Sequence, residues 1–168
     1  DNIEKNHCLK NDLHIFDFAP LLFTSNKYLY NGTWNISCEK EGWGILIDPN
    51  GNKYEGGWKK DKFHGFGRLI SINGDWYQGN FENGEITGQG KFYNATLGIT
   101  YEGNFKDNLY NGFGQEICNN SYTYEGNFKN GKKEGFGKMI FDGGDGIYKG
   151  NFSENKIQGK GSFKWKDR

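Results

Sequence analysis

The sequence predicts an all-β protein, an elongated and twisted antiparallel meander of about six β-hairpin repeats, open as a single-layer ribbon and preceded by a non-repeat extension. Three observations carry this. A motif, Tyr-x-Gly-x-Trp/Phe followed by Gly-x-Gly, recurs six times at separations of 23 or 24 residues (the third position of the first motif is Gly32), and a fixed period of this size marks an array of one supersecondary unit. Of 168 residues, 27 are glycine and 24 are Tyr or Phe, with a single Met; glycine is costly inside helices and aromatics favour strands. Asn83-Gly84 and Asn130-Gly131 fall in the middle of repeats, where Asn-Gly marks a two-residue hairpin.

Residues 1–29 lie outside the period and are expected to cap the first hairpin, with Ile15, Phe16, Phe18, Leu21, Leu22 and Phe23 packing on it, as an ordered extension or as a docking segment for a partner. Their apolar run is interrupted by Asp17 and Pro20, and a bilayer-crossing helix needs about 20 residues. The repeats occupy 30–168 and start at Tyr30, Tyr54, Tyr77, Tyr101, Tyr124 and Tyr148. Their Gly-x-Gly pairs are Gly42/Gly44, Gly65/Gly67, Gly88/Gly90, Gly112/Gly114, Gly135/Gly137 and Gly159/Gly161. The second aromatic stands seven residues before the first of these glycines in five repeats and eight before it in the first, Trp34 to Gly42. A one-residue insertion or bulge is expected there. Between repeats, Pro49-Asn50-Gly51, Asn73-Gly74 and Asp142-Gly143-Gly144 turn the chain again. Phe163 and Trp165 finish the last strand, whose edge reads as uncapped and suited to self-association.

Side chains alternate along a strand. Tyr101, Gly103 and Phe105 therefore share one face, and Glu102 and Asn104 the other. On the return strand Gly112 and Gly114 share a face, and Phe113 lies opposite. Glycines facing aromatics are expected to leave room for rings to lie flat over the backbone.

The residues hold no chemistry of the usual kinds. His7, His14 and His64 form no metal-ligand spacing with Cys, Asp or Glu, and His64 is expected in a solvated turn. Cys8, Cys38 and Cys118 are odd in number and far apart, against a disulfide framework. Gly159-Lys160-Gly161-Ser162 lacks the glycine spacing of a phosphate loop, and Asp142-Gly143-Gly144-Asp145 lacks the alternating oxygens of a calcium loop. Glu55, Glu102 and Glu125 repeat in register as a solvated ladder. No catalytic, cofactor-binding or metal-binding residue is expected, and no enzyme. A net charge of zero gives no footprint for nucleic acid.

The units "YEGGWKKDKFHGFG", "YEGNFKDNLYNGFG" and "YEGNFKNGKKEGFG" resemble the MORN (membrane occupation and recognition nexus) family, over six consecutive units from Tyr30 to about Trp165. Asn31, Gln78 and Lys149 depart from the acidic second position. The resemblance implies hairpin modules of the kind found in scaffolds of the cytoskeleton and ciliary axoneme, including radial spokes. It points to a cytoplasmic, cytoskeleton- or cilium-associated chain that binds other proteins of a multi-subunit assembly.

Two surfaces are candidates. Trp43, Phe66, Phe113 and Phe136, between the paired glycines, alternate to the face away from the Tyr-Gly-Trp/Phe column. A row of rings there would take an extended or helical peptide. The alternative is peripheral binding of anionic phospholipid through Lys129, Lys132, Lys133 and Lys138. It rests on uneven charge: residues 1–128 carry 11 basic and 16 acidic side chains, and residues 129–168 carry 10 and 5.

Overall fold

The computed structural model describes residues 22–23, 27–143 and 146–165. Among them there is no helix. The thirteen strands are β1 (Leu22–Phe23), β2 (Leu29–Trp34), β3 (Lys40–Ile47), β4 (Lys53–Lys59), β5 (Lys62–Ile70), β6 (Trp76–Glu82), β7 (Glu85–Asn94), β8 (Ile99–Lys106), β9 (Leu109–Cys118), β10 (Tyr122–Lys129), β11 (Lys132–Phe141), β12 (Gly146–Ser153) and β13 (Lys156–Trp165). The expected dozen is present, with the two-residue β1 in addition.

The chain forms two compact units. The first takes the chain up to Ile72 together with Asn80–Glu85; the second takes Asn73–Gly79 and the chain from Ile86 onward. In the first unit β1 to β5 each pair antiparallel with the next. In the second, β7 to β13 do the same. β1 pairs Leu22 with Tyr30 and Phe23 with Leu29, covering part of the outer edge of β2. Ile15, Phe16, Phe18 and Leu21 lie outside the described residues.

The core is a row of boxes, each holding one tyrosine. Around Tyr101 the floor is Gly103 and Gly114: a methyl group at Gly114 would meet the Tyr101 hydroxyl at 2.5 Å and a ring carbon at 2.7 Å. The lid is Tyr110, stacked at 3.7 Å and 6°. The walls are Phe105 and, from the next repeat, Phe128, both edge-on at 5.1 and 5.0 Å. The hydroxyl donates to the Asn104 carbonyl at 2.9 Å, which meets the demand that a buried phenol be hydrogen-bonded. Tyr54 repeats the arrangement with Gly56 and Gly67 below, Phe63 stacked above, and Trp58 and Phe81 at the sides. This is how sheet built only of hairpins buries Tyr30, Tyr54, Tyr101 and Tyr124 almost completely.

The two glycines of each Gly-x-Gly do different work, which corrects the expectation that both make room for rings. Only the second lies under the tyrosine. The first has a φ between 65° and 93° in all six repeats, and nothing lies within 4 Å of a Cβ built at Gly65 or Gly135. It stands where the hairpin register slips, between Gly126 and Phe128 on β10 for example. A bulge of this kind needs left-handed backbone.

Five hairpins close on two residues that both have positive φ: Lys60-Asp61, Asn83-Gly84, Asp107-Asn108, Asn130-Gly131 and Glu154-Asn155. This is the backbone whose twist suits a two-residue hairpin. The second residue's amide donates to a carbonyl of the preceding repeat, that of Lys40, Phe63, Ile86, Tyr110 or Lys133 respectively. Each turn therefore ties one repeat to the one before. In the first repeat Trp34 pairs with Lys40 where Trp58 pairs with Phe63, so the extra residue sits in the turn. There the Asn35 side chain accepts the amides of Ser37 and Glu39.

Candidate interaction surface

Because the bulge glycine and the floor glycine flank it, the middle residue of each Gly-x-Gly points away from the core. Trp43, Phe66, Phe113 and Phe136 are 54, 53, 55 and 63% exposed, whereas Tyr54, Trp58, Phe105 and Phe128 of the motif's first strand are buried. In the first unit, Trp43 on β3 and Phe66 on β5 stand on either side of β4, where Gly57 is Trp43's partner. In the second, Phe113 on β9 and Phe136 on β11 stand on either side of β10, where Asn127 is opposite Phe113. With strands about 4.8 Å apart, the two rings of each pair are rooted about 10 Å apart.

Polar groups border the rings. Asn104 donates to the Phe113 carbonyl at 3.4 Å, and Gln89 donates to the Asn104 side chain at 2.8 Å. The next row of the same face carries charges, with Lys91 and Glu102 paired at 3.0 Å and Glu125 opposite Lys138. Ile117 and Ile140 are exposed one row further on. The outer face is thus aromatic, charged and aliphatic in successive rows. The glutamate ladder is solvent-facing at Glu102 and Glu125 and half-buried at Glu55, which pairs with Lys53 at 2.9 Å.

The four lysines do not form the expected patch. Lys133 is buried, its ammonium on the Glu116 carboxylate. Lys132 is paired with Glu154. Lys129 is exposed beside the Asn130-Gly131 turn, and Lys138 is half-buried next to Phe136. Lys133 fails as a surface cation because it occupies the lid position that Phe63 and Tyr110 fill elsewhere.

Sequence reading missed the cluster this creates. Tyr122 donates to Glu116 at 2.7 Å, and Lys133 reaches the Tyr122 hydroxyl at 3.1 Å. The Lys133 ammonium also lies 4.7 and 5.4 Å from the ring centres of Tyr122 and Tyr124. The signal was present: Glu116 stands two residues after a floor glycine, where the other repeats carry Leu46, Leu69, Phe92, Met139 and Phe163. His64 also departs from expectation. It lies in β5, half-buried, with its Nδ1 enclosed and without a hydrogen-bond partner among the described residues. Among the described residues no group of three His, Cys, Asp or Glu side chains comes together to hold a metal ion.

The class these features define is an array of antiparallel β-hairpin repeats with a boxed tyrosine in each and aromatic side chains exposed on the opposite face. The MORN repeat family model matches residues 54–76, 77–96, 101–121, 124–146 and 148–168, more than half of the chain, and the chain belongs to that family. The first hairpin lies outside these matches, yet Tyr30 is boxed in the same way by Gly32, Gly44, Trp34 and Trp58. No curated protein matches the chain. Among solved structures, the chain is similar to the TCP domain of SAS-4 (dCPAP) of Drosophila melanogaster, in complex with a proline-rich motif of Ana2 (dSTIL). The identity is 16% and the TM-score 0.50, over 91% of this chain and 79% of that one.

Proposed function

We propose that the chain is a non-catalytic repeat scaffold that holds other proteins of an assembly on its outer face. The observation that carries this is the exposure of Trp43, Phe66, Phe113 and Phe136, each more than half open to solvent on the face opposite the tyrosine core. Large rings left outside a core already closed by other rings mark an interaction surface. An extended segment fits, because strand-rooted rings about 10 Å apart can receive alternate side chains. The proline-rich motif held by the TCP domain supports this reading of an open hairpin sheet. A cytoplasmic setting in the cytoskeleton or ciliary axoneme, and self-association through the outer edge of β13, belong to the same proposal.

The test compares affinity capture by the wild type and by a Phe113→Ser/Phe136→Ser variant from the native cell extract, followed by binding of each captured protein after purification. Partners retained by the wild type and lost by a variant of unchanged thermal midpoint are expected. Identical binding by both overturns the proposal. The lipid alternative rests on less charge than the sequence suggested, since Lys133 is buried and Lys132 is paired; co-sedimentation with anionic vesicles tests it.

A further inference from the structure

The register of β11, β12 and β13 assembles a basic patch that no sequence window displays. Lys138 is directly opposite Lys149, and Lys149 is opposite Ser162. On one side of this row lie Phe136, opposite Asn151, and Lys160, whose carbonyl accepts from the Asn151 side chain at 3.3 Å. On the other side lie Ile140, opposite Ile147, and Lys164, also opposite Ile147. Lys149, Lys160 and Lys164 are exposed, as are Phe136 and Ile140. All share the outer face.

Among the described residues no carboxylate pairs with any of these four lysines. Glu125 stands across from Lys138 on β10 without forming an ion pair. Glu134, near the turn end, accepts from Ser153 and from the Glu154 amide. Like charges directly opposite on neighbouring strands are destabilising. The same row on β7 and β8 avoids this, with Lys91 facing Glu102. On β11 and β12 Lys138 faces Lys149 beside an exposed ring, with no ion pair to either among the described residues.

We infer that this patch binds an acidic, extended protein segment, whose carboxylates meet Lys138, Lys149, Lys160 and Lys164 and whose apolar side chains meet Phe136 and Ile140. The inference rests on the scaffold reading and names the chemistry of its partner. The width of the patch decides between a peptide and a membrane. A bilayer is laterally extensive and would also meet Glu102 and Glu125, which are exposed on the same face of β8 and β10. A single chain laid over three strands, a span of about 10 Å, meets the lysines and leaves the glutamates in water.

The probe is a short fluorescent peptide in which glutamate alternates with valine, beside its glutamine counterpart and phosphatidylcholine vesicles containing phosphatidylserine, all against the full chain. The glutamate peptide is expected to bind and the glutamine peptide to bind at least tenfold more weakly. Lys149→Glu or Lys160→Glu each weakens the glutamate peptide about tenfold, the scale for turning an exposed attraction into a repulsion. Added salt weakens binding further. Lys149→Glu also places opposite charges across β11 and β12, so its thermal midpoint holds or rises while binding falls, which separates loss of the ligand from loss of the fold. Equal binding of both peptides, or indifference to the lysine reversals, overturns the inference and leaves the scaffold reading standing on its rings. Absence of peptide binding, with proteins still captured through Phe113 and Phe136, does the same. Lysine-dependent binding to the vesicles overturns it in favour of lipid.

Discussion

The ring of Tyr101 meets the ring of Phe128 edge-on, with centroids 5.0 Å apart and planes at 87°, although the two belong to successive repeats. Tyr30 and Trp58, Tyr54 and Phe81, Tyr77 and Phe105, and Tyr124 and Phe152 make the same contact. Each repeat therefore completes the box of the one before, and neighbour contacts carry much of the stability of an array. Phe128→Ala removes a wall from both the Tyr101 and the Tyr124 boxes. It is expected to cost about 3–5 kcal/mol in chemical denaturation, the range for deleting a buried phenylalanine. Phe113→Ala, on the outer face, should change stability by no more than about 0.5 kcal/mol.

The division of work between paired glycines gives a second expectation. Gly137→Ala places a methyl group 2.5 Å from both a ring carbon and the hydroxyl of Tyr124. The ring is held in its box and cannot yield, so a loss of about 3 kcal/mol or more is expected from overpacking. Gly135→Asn meets open space at φ +73°, and asparagine tolerates left-handed backbone. Its cost should stay near 1 kcal/mol. Thermal melts of the two variants side by side read the difference, and the reverse order would refute the assignment.

The strand ladder and the turns were legible because period and alternation are properties of the chain itself. Tyr30 to Tyr148 announce the rungs, and the place of Trp43, Phe66, Phe113 and Phe136 on the outer face follows from alternation through a Gly-x-Gly. Three two-residue turns lack the Asn-Gly signature, Lys60-Asp61, Asp107-Asn108 and Glu154-Asn155, and only the constant spacing betrayed them. What escaped depended on which residues meet across strands. Lys133 and Glu116 are seventeen positions apart, and Lys138, Lys149, Lys160 and Lys164 become neighbours only once the register is set. A bulge in the hairpins β2/β3, β4/β5, β8/β9, β10/β11 and β12/β13 makes that register unreadable by counting.

The boxed tyrosines make the fold sensitive to alkali. Burial raises the phenols of Tyr30, Tyr54, Tyr101, Tyr110 and Tyr122 above their ordinary value, and that of Tyr124 to about 12, with the Glu116 carboxylate adding to the effect at Tyr101, Tyr110, Tyr122 and Tyr124. A raised folded-state value means that the fold holds the neutral phenol. Its contribution is complete below the unfolded value of about 10 and is lost as pH rises toward the folded one. Stability should therefore fall steeply above about pH 10. Phenolate absorbance should show these six tyrosines ionising only above the ordinary phenol range, and their ionisation within that range would contradict the boxes.

The buried pair of Lys133 and Glu116 supplies the sharpest test of how the repeats differ. Lys133 serves as the lid over Tyr124, and its ammonium is held by Glu116, by the Tyr122 hydroxyl and against two ring faces. Removing one partner leaves the other charge buried alone, so Lys133→Met and Glu116→Met should each cost about 3–5 kcal/mol. Replacing both, Lys133→Met with Glu116→Met (methionine as at position 139), removes both buried charges together and should be close to neutral relative to the wild type. A double-mutant cycle in denaturant, with the same replacement at each position in the single and double variants, reads the coupling directly: the double variant is expected to lose far less than the two single losses added together. Additive losses would mean that the two charges reach water instead of each other, and that the box around Tyr124 is open.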